Sequence, residues 1–391
     1  MVQKFLISYF LFLIPFLTFS QSDSCHLRIS LLTGSPGEEL YSTFGHSALR
    51  IKDSLNNEDI VYNYGTFDFG EPGFYTKFIR GKLMYYLSTE DFNLFKESFL
   101  QEKRGITEQV LNLSCNEKQK MIQLLQKNLM GENKFYKYDF LFDNCTTRLR
   151  DLLEKAADSA VHFTEIVEKN TSVRDHIFEY MDYNDHQWTK LGMDILLGNK
   201  TDVIMGNREV MFLPDYLLRG FDSAKVGSQH VVESKDNVLS FPEANKVQKN
   251  LFTHPLFIFS FLLILIVVMS YSKSEVVRKI LNGFDGFLFF ITGLAGLLML
   301  FMWVGTDHVV CRNNYNLLWA WPTHVIAAFF IHSQKKRLRR YLLITAIIYS
   351  LLLLVWFFLP QPLSTSLIPI ILLMVFRIFI TLKGGTTKQY I

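Results

Sequence analysis

The sequence predicts an α+β domain that lies in water, followed by an all-α membrane domain of about five transmembrane helices. Up to about residue 244 of the 391-residue chain, charged, aromatic and apolar positions are mixed as in an ordinary globular domain, whereas long apolar runs dominate from residue 255 onward. The formal net charge is only +3, and the basic residues gather beside the apolar runs instead of forming one stripe. This distribution argues against nucleic-acid binding.

The N-terminus has the pattern of a secretory signal peptide, which we assign to residues 1–20. Lys4 precedes an apolar run, and polar residues follow that run. The residues at its end leave open whether the segment is cleaved or kept as an anchor. Export would place the next domain, residues 21–220, in an oxidising compartment where Cys25 and Cys115 could pair, although spacing alone does not set connectivity.

The rest of the chain divides into a linker, residues 221–253, and the membrane domain, residues 254–391. The linker is predicted from its many Ser, Lys, Asp, Glu and Asn residues and its few apolar anchors. Five stretches of the membrane domain are apolar enough to cross a bilayer of about 30 Å, namely 255–270, 286–304, 315–331, 341–359 and 363–382. Lysines and arginines follow the first and third stretches, which predicts that these loops face the cytoplasm and that the N-terminal domain lies outside. Arg377, near the inner end of the last stretch, is expected to extend to the cytoplasmic surface.

Polar residues gather between the second and third apolar stretches. Asp307, His308 and Asn316 precede the membrane, and Trp319 and His324 enter it. Because ionisable groups at that depth are costly and are often functional, these residues are predicted to hold a lipid headgroup or to shape a lipid path. The alternative is an interfacial loop in which the polar groups pair with one another and the aromatic residues form a belt.

The strand and helix signals of the N-terminal domain give the α+β pattern. Alternating and β-branched segments, separated by Gly, Pro or Asn, predict strands at 27–32, 42–51, 61–65, 83–88 and 109–113. Helical periodicity predicts helices at about 117–129 and from Cys145 onward.

Cys145 is the strongest candidate for a reactive group. It follows an Asp143-Asn144 pair and precedes a helical repeat, which places its sulfur at a helix start. The positive end of the helix dipole lowers a cysteine pKa from about 8.5 toward neutrality, and a thiolate can attack a carbonyl. Backbone N–H groups around Cys145 and Thr146 would stabilise the oxyanion, with Asn144 as a support residue. The alternative is that Cys145 is a small buried hydrophobic residue.

His46 is the best partner for this thiol. It lies on the second predicted strand beside Gly45, where another backbone or a substrate can approach closely. An imidazole there could take the thiol proton and return it to the leaving group. Asn63, on the next strand, is predicted to orient the imidazole, with Tyr64 behind it. Alternatively, His46 is a structural histidine bonded to backbone.

These motifs resemble two known groups. A histidine on an early strand with a cysteine far downstream reverses the papain order and resembles the circularly permuted NlpC-type thiol hydrolases, which implies a permuted papain-like fold. More closely, several strings are similar to the Lnb family, the lipoprotein N-acyltransferases of Bacteroidetes. These strings are residues 44–51, 62–69, 138–148 and 211–217, together with 307–308 and 314–319 in the membrane half.

The resemblance implies an activity and its location. An acyl chain would pass from a phospholipid, through a thioester on Cys145, to the N-terminal amine of a diacylglyceryl-cysteine lipoprotein, with His46 as the second member of the catalytic pair. The enzyme would lie in the bacterial inner membrane with its catalytic domain in the periplasm. No cofactor is expected, since the sequence has neither a zinc-spaced ligand cluster nor a phosphate loop.

Two other functions fit the same residues. A periplasmic peptidoglycan or peptide hydrolase could use the same Cys/His pair, but its water-soluble substrate would leave the membrane domain with no role beyond tethering. A non-enzymatic envelope scaffold would keep Cys145 and His46 as core residues. Composition alone does not name an acyl acceptor.

Overall fold

A computed structural model describes residues 25–241 and 250–384. The predicted signal peptide, residues 1–20, lies outside the described residues, and so does part of the predicted linker, residues 242–249. The described chain forms a mixed α/β domain with a sheet, followed by a helical domain.

The sheet of the N-terminal domain is antiparallel and has the strand order β10-β5-β1-β2-β3-β4-β6. Three short strands, β7 to β9, form a second sheet. The strands are β1 Leu27–Gly34, β2 His46–Asp53, β3 Glu58–Thr66, β4 Met84–Asp91, β5 Ile106–Leu111, β6 Phe135–Lys137, β7 Val161–His162, β8 Lys225–Val226, β9 Gln229–His230 and β10 Val232–Leu239. The five predicted strands therefore all occur. Strand β2 begins only at His46, because a 3-10 turn at Leu40–Ser42 and Gly45, with a φ of 81°, turn the chain just before it.

The linker prediction for residues 221–253 is wrong over much of its length. Phe221 is buried in the domain core, and β10 pairs with β5 as an edge strand of the main sheet. The sequence of β10 is polar because most of its side chains are exposed and it carries two register shifts, as edge strands often do. Its place in the sheet depends on backbone hydrogen bonds to β5, which amino-acid composition does not predict.

Helices cover both faces of the main sheet. The helices of the N-terminal domain are α1 Phe74–Ile79, α2 Phe92–Gln101, α3 Cys115–Leu129, α4 Cys145–Ala156, α5 Val173–Tyr183, α6 Gln187–Leu196, α7 Asn207–Val210 and α8 Pro214–Ser223. Three phenylalanines of α2 pack with Leu32, Ala48 and Val61 on one face, and α3 and α4 pack on the other. Cys25 and Cys115 form a disulfide with Cα atoms 5.5 Å apart. It joins the segment just before β1 to the first residue of α3.

Helices α5 to α8 form an additional layer beside the start of α4. Their core includes Ile177, Met181, Phe212 and Leu213, and it packs against Leu141 of the loop that precedes Cys145. This layer therefore supports the loop from which α4 begins.

The membrane domain contains helices α9 Pro255–Ser270, α10 Glu275–Val304, α11 His324–Ala328, α12 Lys336–Val355 and α13 Ile368–Gly384. Among the described residues, three helical stretches are long and apolar enough to cross a membrane: Glu275–Val304, Lys336–Phe358 and Thr365–Lys383. Helix α9 is also apolar but has only 16 residues.

The third predicted span, residues 315–331, is not one continuous helix. A 3-10 helix at Tyr315–Leu318 leads to Pro322, and only the five residues of α11 are α-helical. The segment runs antiparallel beside α10: a Cβ on Gly296 would lie 2.1 Å from the carbonyl oxygen of Ala320, and one on Gly293 would lie 2.3 Å from the nitrogen of Val325. Irregular backbone is tolerated at membrane depth when protein covers it, and two glycines on α10 permit that close approach.

Candidate active site

Cys145 is the first residue of α4, and its neighbours hold that helix start. The Asn144 side chain caps the helix, since its Oδ1 accepts hydrogen bonds from the N–H groups of Thr146 at 3.0 Å and Thr147 at 2.9 Å. The thiol therefore lies at the positive end of the helix dipole, as the sequence predicts.

The helix start is also fixed from the layer formed by α5 to α8. Asn144 Nδ2 donates to the carbonyl oxygens of Phe140 at 2.7 Å and Phe212 at 2.8 Å, and Thr146 Oγ1 donates to Phe212 at 2.6 Å. Both side chains are almost completely buried. Asn144 and Thr146, the predicted support residues, thus lie beside Cys145 and fix its position through these bonds.

The fold brings His46 to the thiol, close enough for each group to change the pKa of the other. Burial raises the pKa of Cys145, but the His46 charge, the His46 hydrogen bond and the backbone N–H groups of Ser47 and Thr146 outweigh it, so that the pKa is lowered. Burial lowers the pKa of His46, but the Cys145 charge and hydrogen bonds to Cys145 and Asn63 outweigh it, so that this pKa is raised. Both directions favour a thiolate beside an imidazolium.

Asn63 lies where the sequence predicts the orienting group. Its Oδ1 is 3.1 Å from His46 Nε2, and since an amide oxygen can only accept, Nε2 carries a proton. Nδ1 is then the ring nitrogen left to exchange a proton with the thiol. Asn63 Nδ2 donates in turn to Glu90 Oε1 at 2.6 Å, which fixes the orientation of the amide.

Glu90 was missed by the sequence reasoning. It lies on β4 opposite Val61, two residues along the strand from Ser88, which pairs with Asn63. Burial raises the pKa of the Glu90 carboxyl despite the hydrogen bond from Asn63. The only signal in the sequence is a carboxylate on the strand next to Asn63. That signal becomes specific once the pairing of β3 with β4 is known.

Tyr64 does not stand behind Asn63. Successive side chains of a strand point to opposite faces, so Tyr64 points into the core under α3 and α4. Its hydroxyl accepts a hydrogen bond from Asn128 Nδ2 at 2.7 Å, and the guanidinium of Arg148 lies 5.5 Å from its ring centroid. Tyr64 therefore packs beneath the Cys145 helix.

Two further residues near the thiol were missed. A Cβ on Gly65 would lie 3.8 Å from Cys145 Cβ and 3.8 Å from Tyr138 Cε2, so the Gly65 backbone lies close to both residues. With a φ of 91°, that position favours glycine. The Tyr138 ring stacks on Tyr85 with centroids 4.5 Å apart.

The membrane residues predicted to contact lipid separate into two groups. Asp307 and His308 contact the N-terminal domain: Asp307 Oδ2 lies 2.6 Å from Lys137 Nζ, and His308 Nε2 lies 3.1 Å from the carbonyl oxygen of Ile79. Their neighbours extend the same contact, because the N–H of Gly198 donates to the carbonyl oxygen of Val310 at 2.9 Å.

Asn316, Trp319 and His324 are buried in a polar network. Asn316 Nδ2 donates to the carbonyl oxygen of Asp194 at 3.0 Å, and Trp319 Nε1 donates to Asn316 Oδ1 at 2.8 Å. His324 Nδ1 and Nε2 lie 2.6 Å and 2.5 Å from the hydroxyls of Tyr341 and Tyr349, and Tyr349 donates to the carbonyl of Trp319. This arrangement agrees with the alternative prediction for this loop, in which its polar groups pair with one another.

Both halves of the chain match models of known protein families. The profile of the Lnb N-terminal periplasmic domain matches residues 18–182, and the profile of the Lnb transmembrane domain matches residues 246–389. The chain belongs to the Lnb family. No curated protein and no solved structure matches it.

Within this Lnb protein, Cys145, His46, Asn63 and Glu90 all lie in the part matched by the periplasmic domain. Phe212, whose carbonyl holds Asn144 and Thr146, lies between the two matched parts. The helix start that presents the thiol is therefore completed by a segment that neither profile covers.

Proposed function

We propose that this Lnb-family protein is a lipoprotein N-acyltransferase that works through a thioester on Cys145. The observation that carries the proposal is the placement of Cys145 at a capped helix start beside His46, which is hydrogen bonded to Asn63 and through it to Glu90, in a domain that is docked on a membrane domain. This arrangement favours a nucleophilic thiolate, and the membrane domain gives access to substrates that carry lipid chains.

In the first half of the reaction, the Cys145 thiolate attacks the ester carbonyl of a phospholipid. The C–O bond to the glycerol then breaks, and the His46 imidazolium gives its Nδ1 proton to the departing alkoxide. A lysophospholipid leaves, and the acyl group remains as a thioester on Cys145.

The oxyanion of this step is assigned to the start of α4. Asn144 already caps the N–H groups of Thr146 and Thr147, whereas the N–H of Cys145 itself is not used by that cap. A first-turn N–H has no partner within its own helix. It is therefore the donor expected to stabilise the tetrahedral oxyanion.

In the second half, the free α-amine of a diacylglyceryl-cysteine lipoprotein attacks the thioester carbonyl. His46, now neutral, takes a proton from the amine, the C–S bond breaks and the thiolate returns as an amide forms. Exclusion of water is needed for transfer to prevail over hydrolysis, and docking of the site on the membrane domain serves that purpose.

The proposal includes a location. Basic residues after the first and third apolar stretches favour a bacterial inner-membrane protein with the Cys145 domain in the periplasm and the C-terminal tail in the cytoplasm. Five crossings are retained in this topology, with the broken segment 315–331 as the third.

The decisive experiment expresses the chain in cells that lack their own N-acylating enzyme and measures the mass of lipoprotein N-terminal peptides. The wild type is expected to add one acyl chain, and Cys145→Ser and His46→Ala are expected to add none. Cys311→Ser, which changes the other free cysteine of the described chain, should acylate like the wild type. An unchanged peptide mass with the wild type, or a full acyl shift with Cys145→Ser, would overturn the proposal.

A further inference from the structure

The N-terminal domain carries a connected series of aromatic side chains that begins beside the thiol. Tyr138 stacks on Tyr85 at 4.5 Å, Tyr85 contacts Phe67 at 5.3 Å, Phe67 contacts Phe74 at 5.8 Å, and Phe74 stacks on Phe78 at 6.1 Å, all between ring centroids. We call these five residues, with Phe69 beside them, the aromatic track. Phe69 contacts both Phe67 and Phe74, at 4.9 Å and 5.0 Å.

The track is open on its outer side. Phe69 and Phe78 are 69% and 50% exposed, and Phe67, Tyr85 and Tyr138 are partly exposed. Single exposed apolar residues are common on proteins, but a contiguous apolar patch marks a contact with another molecule or with a membrane. Here the exposed rings of Phe69 and Phe78 both contact the buried ring of Phe74, so they belong to one aromatic cluster.

One end of the track lies at Cys145. Gly65, which has no side chain, lies beside both the thiol residue and the Tyr138 ring, since a Cβ there would be 3.8 Å from Cys145 Cβ and 3.8 Å from Tyr138 Cε2. A chain lying along the rings would therefore reach the sulfur without having to pass a side chain at position 65.

The other end lies at the membrane domain. His308, in the loop after α10, places its Nε2 3.3 Å and 3.1 Å from the carbonyl oxygens of Phe78 and Ile79, and the N–H of Asp307 donates to the carbonyl oxygen of Arg80 at 3.0 Å. The C-terminal end of α1 is thus bonded to the loop that follows α10. This contact places the α1 end of the track beside the membrane domain.

We propose that the aromatic track holds one acyl chain of a membrane phospholipid and guides its ester to Cys145. The inference rests on the proposed acyl transfer and specifies where the acyl donor lies. The rings supply apolar contact and few hydrogen-bonding groups, which suits a hydrocarbon chain better than a peptide or a headgroup. The tail would lie between the thiol and the loop at His308, so that the ester carbonyl points to the sulfur.

The test uses photocrosslinking in the full chain carrying Cys145→Ala, so that the lipid stays intact. The protein is reconstituted in phosphatidylethanolamine and phosphatidylglycerol vesicles that contain a phosphatidylethanolamine with a diazirine at the end of one acyl chain. After illumination, the lipid is expected on peptides covering residues 67–85. Removing two exposed rings, Phe69→Ser with Phe78→Ser, should lower that crosslink about tenfold, because two apolar contacts with the chain are lost.

A matched control is Leu55→Ser, which removes an exposed apolar side chain from the turn between β2 and β3, at the opposite end of β2 from His46. It should leave the crosslink unchanged. Crosslinks confined to the membrane helices, or an equal yield in the double variant, would overturn the inference.

The acylation assay separates this inference from the proposed function. A protein that acylates lipoproteins in cells but gives no crosslink at residues 67–85 contradicts the track alone. A protein that crosslinks there, with the expected loss in the double variant, but never acylates lipoproteins supports the track and contradicts the proposed function.

Discussion

At the scale of single residues, the site is a series in which each group fixes the next. Glu90 accepts from the Asn63 amide, which leaves the Asn63 oxygen facing His46 Nε2. That contact requires a proton on Nε2 and leaves Nδ1 for the thiol. A change at Glu90 therefore acts on Cys145 only through two intervening side chains, which makes Glu90 a positioning residue.

The series from Glu90 through Asn63 and His46 to Cys145 predicts how thiol alkylation depends on pH. A lowered pKa for Cys145 moves the alkylation profile to lower pH, with the rate lost as pH falls through that pKa. In His46→Ala the burial of the thiol is no longer opposed by the imidazole, so the midpoint should move to higher pH. Glu90→Ala should move it in the same direction by a smaller amount.

The measurement is the rate of iodoacetamide modification of the Cys145 peptide by mass spectrometry across pH. His162→Ala, which removes an exposed histidine from β7, is the control and should leave the profile unchanged. An unaltered midpoint in His46→Ala would mean that the imidazole does not stabilise the thiolate.

At the scale of elements, the membrane helices are joined by a buried ion pair. Arg377 of α13 makes two bonds to Asp285 of α10, at 2.6 Å and 2.8 Å, and a third to Ser270 Oγ of α9 at 2.8 Å. His332 Nε2 lies 3.7 Å from Asp285 Oδ2. The expectation that Arg377 extends to the cytoplasmic surface is therefore wrong, because its charge is satisfied inside the helix bundle.

The ion pair predicts an asymmetric response to mutation. Arg377→Gln alone leaves Asp285 buried without its partner and should destabilise the protein by about 3–5 kcal/mol. Combining it with Asp285→Asn removes the unpaired charge, so the double variant should lose less than the sum of the two single changes. Thermal unfolding of the purified protein in detergent measures both effects.

Arg340→Gln provides the control, since Arg340 is an exposed arginine in the first part of α12. It is expected to leave the unfolding temperature unchanged. Additive losses in the double variant would show that Asp285 and Arg377 do not act as a pair.

At the scale of the whole molecule, the two domains are joined by bonds to backbone carbonyls around α6. Asn314 Nδ2 donates to the carbonyl oxygens of Ile195 and Leu196, and Gln361 Nε2 donates to that of Leu197 at 2.9 Å. The Lys137–Asp307 ion pair is exposed by comparison, and exposed pairs contribute little. The domain contact therefore depends mainly on the buried amides.

This difference predicts which substitution loosens the domains. Asn314→Ala should cost about 1–3 kcal/mol, because buried carbonyls lose their donor, and it should speed hydrogen exchange at Gly198 and Asn199, which bond to the loop at residues 310–313. Asp307→Ala should leave exchange at those two amides unchanged. Equal exchange in both variants, measured by mass spectrometry of peptides from residues 187–201, would contradict this account.

Sequence patterns predicted much of this molecule because they report local chemistry. Strand alternation and helical periodicity gave the five central strands and helices α3 and α4, and the Asp143-Asn144 pair before a helical repeat placed Cys145 at a helix start. Long apolar runs separated the membrane domain from the rest. The same reasoning selected Asn63, because a strand that follows another along the chain usually lies next to it in the sheet.

Only the tertiary structure decided which distant groups meet. Strand β10 joins the sheet through backbone bonds despite its polar composition, and Glu90 reaches Asn63 through the β3–β4 register. Tyr64 faces away from Asn63, Phe212 holds the thiol loop through its carbonyl, and Arg377 finds Asp285 inside the membrane domain. Each of these depends on pairing across long sequence separations, where backbone geometry and burial, rather than residue type, set the partner.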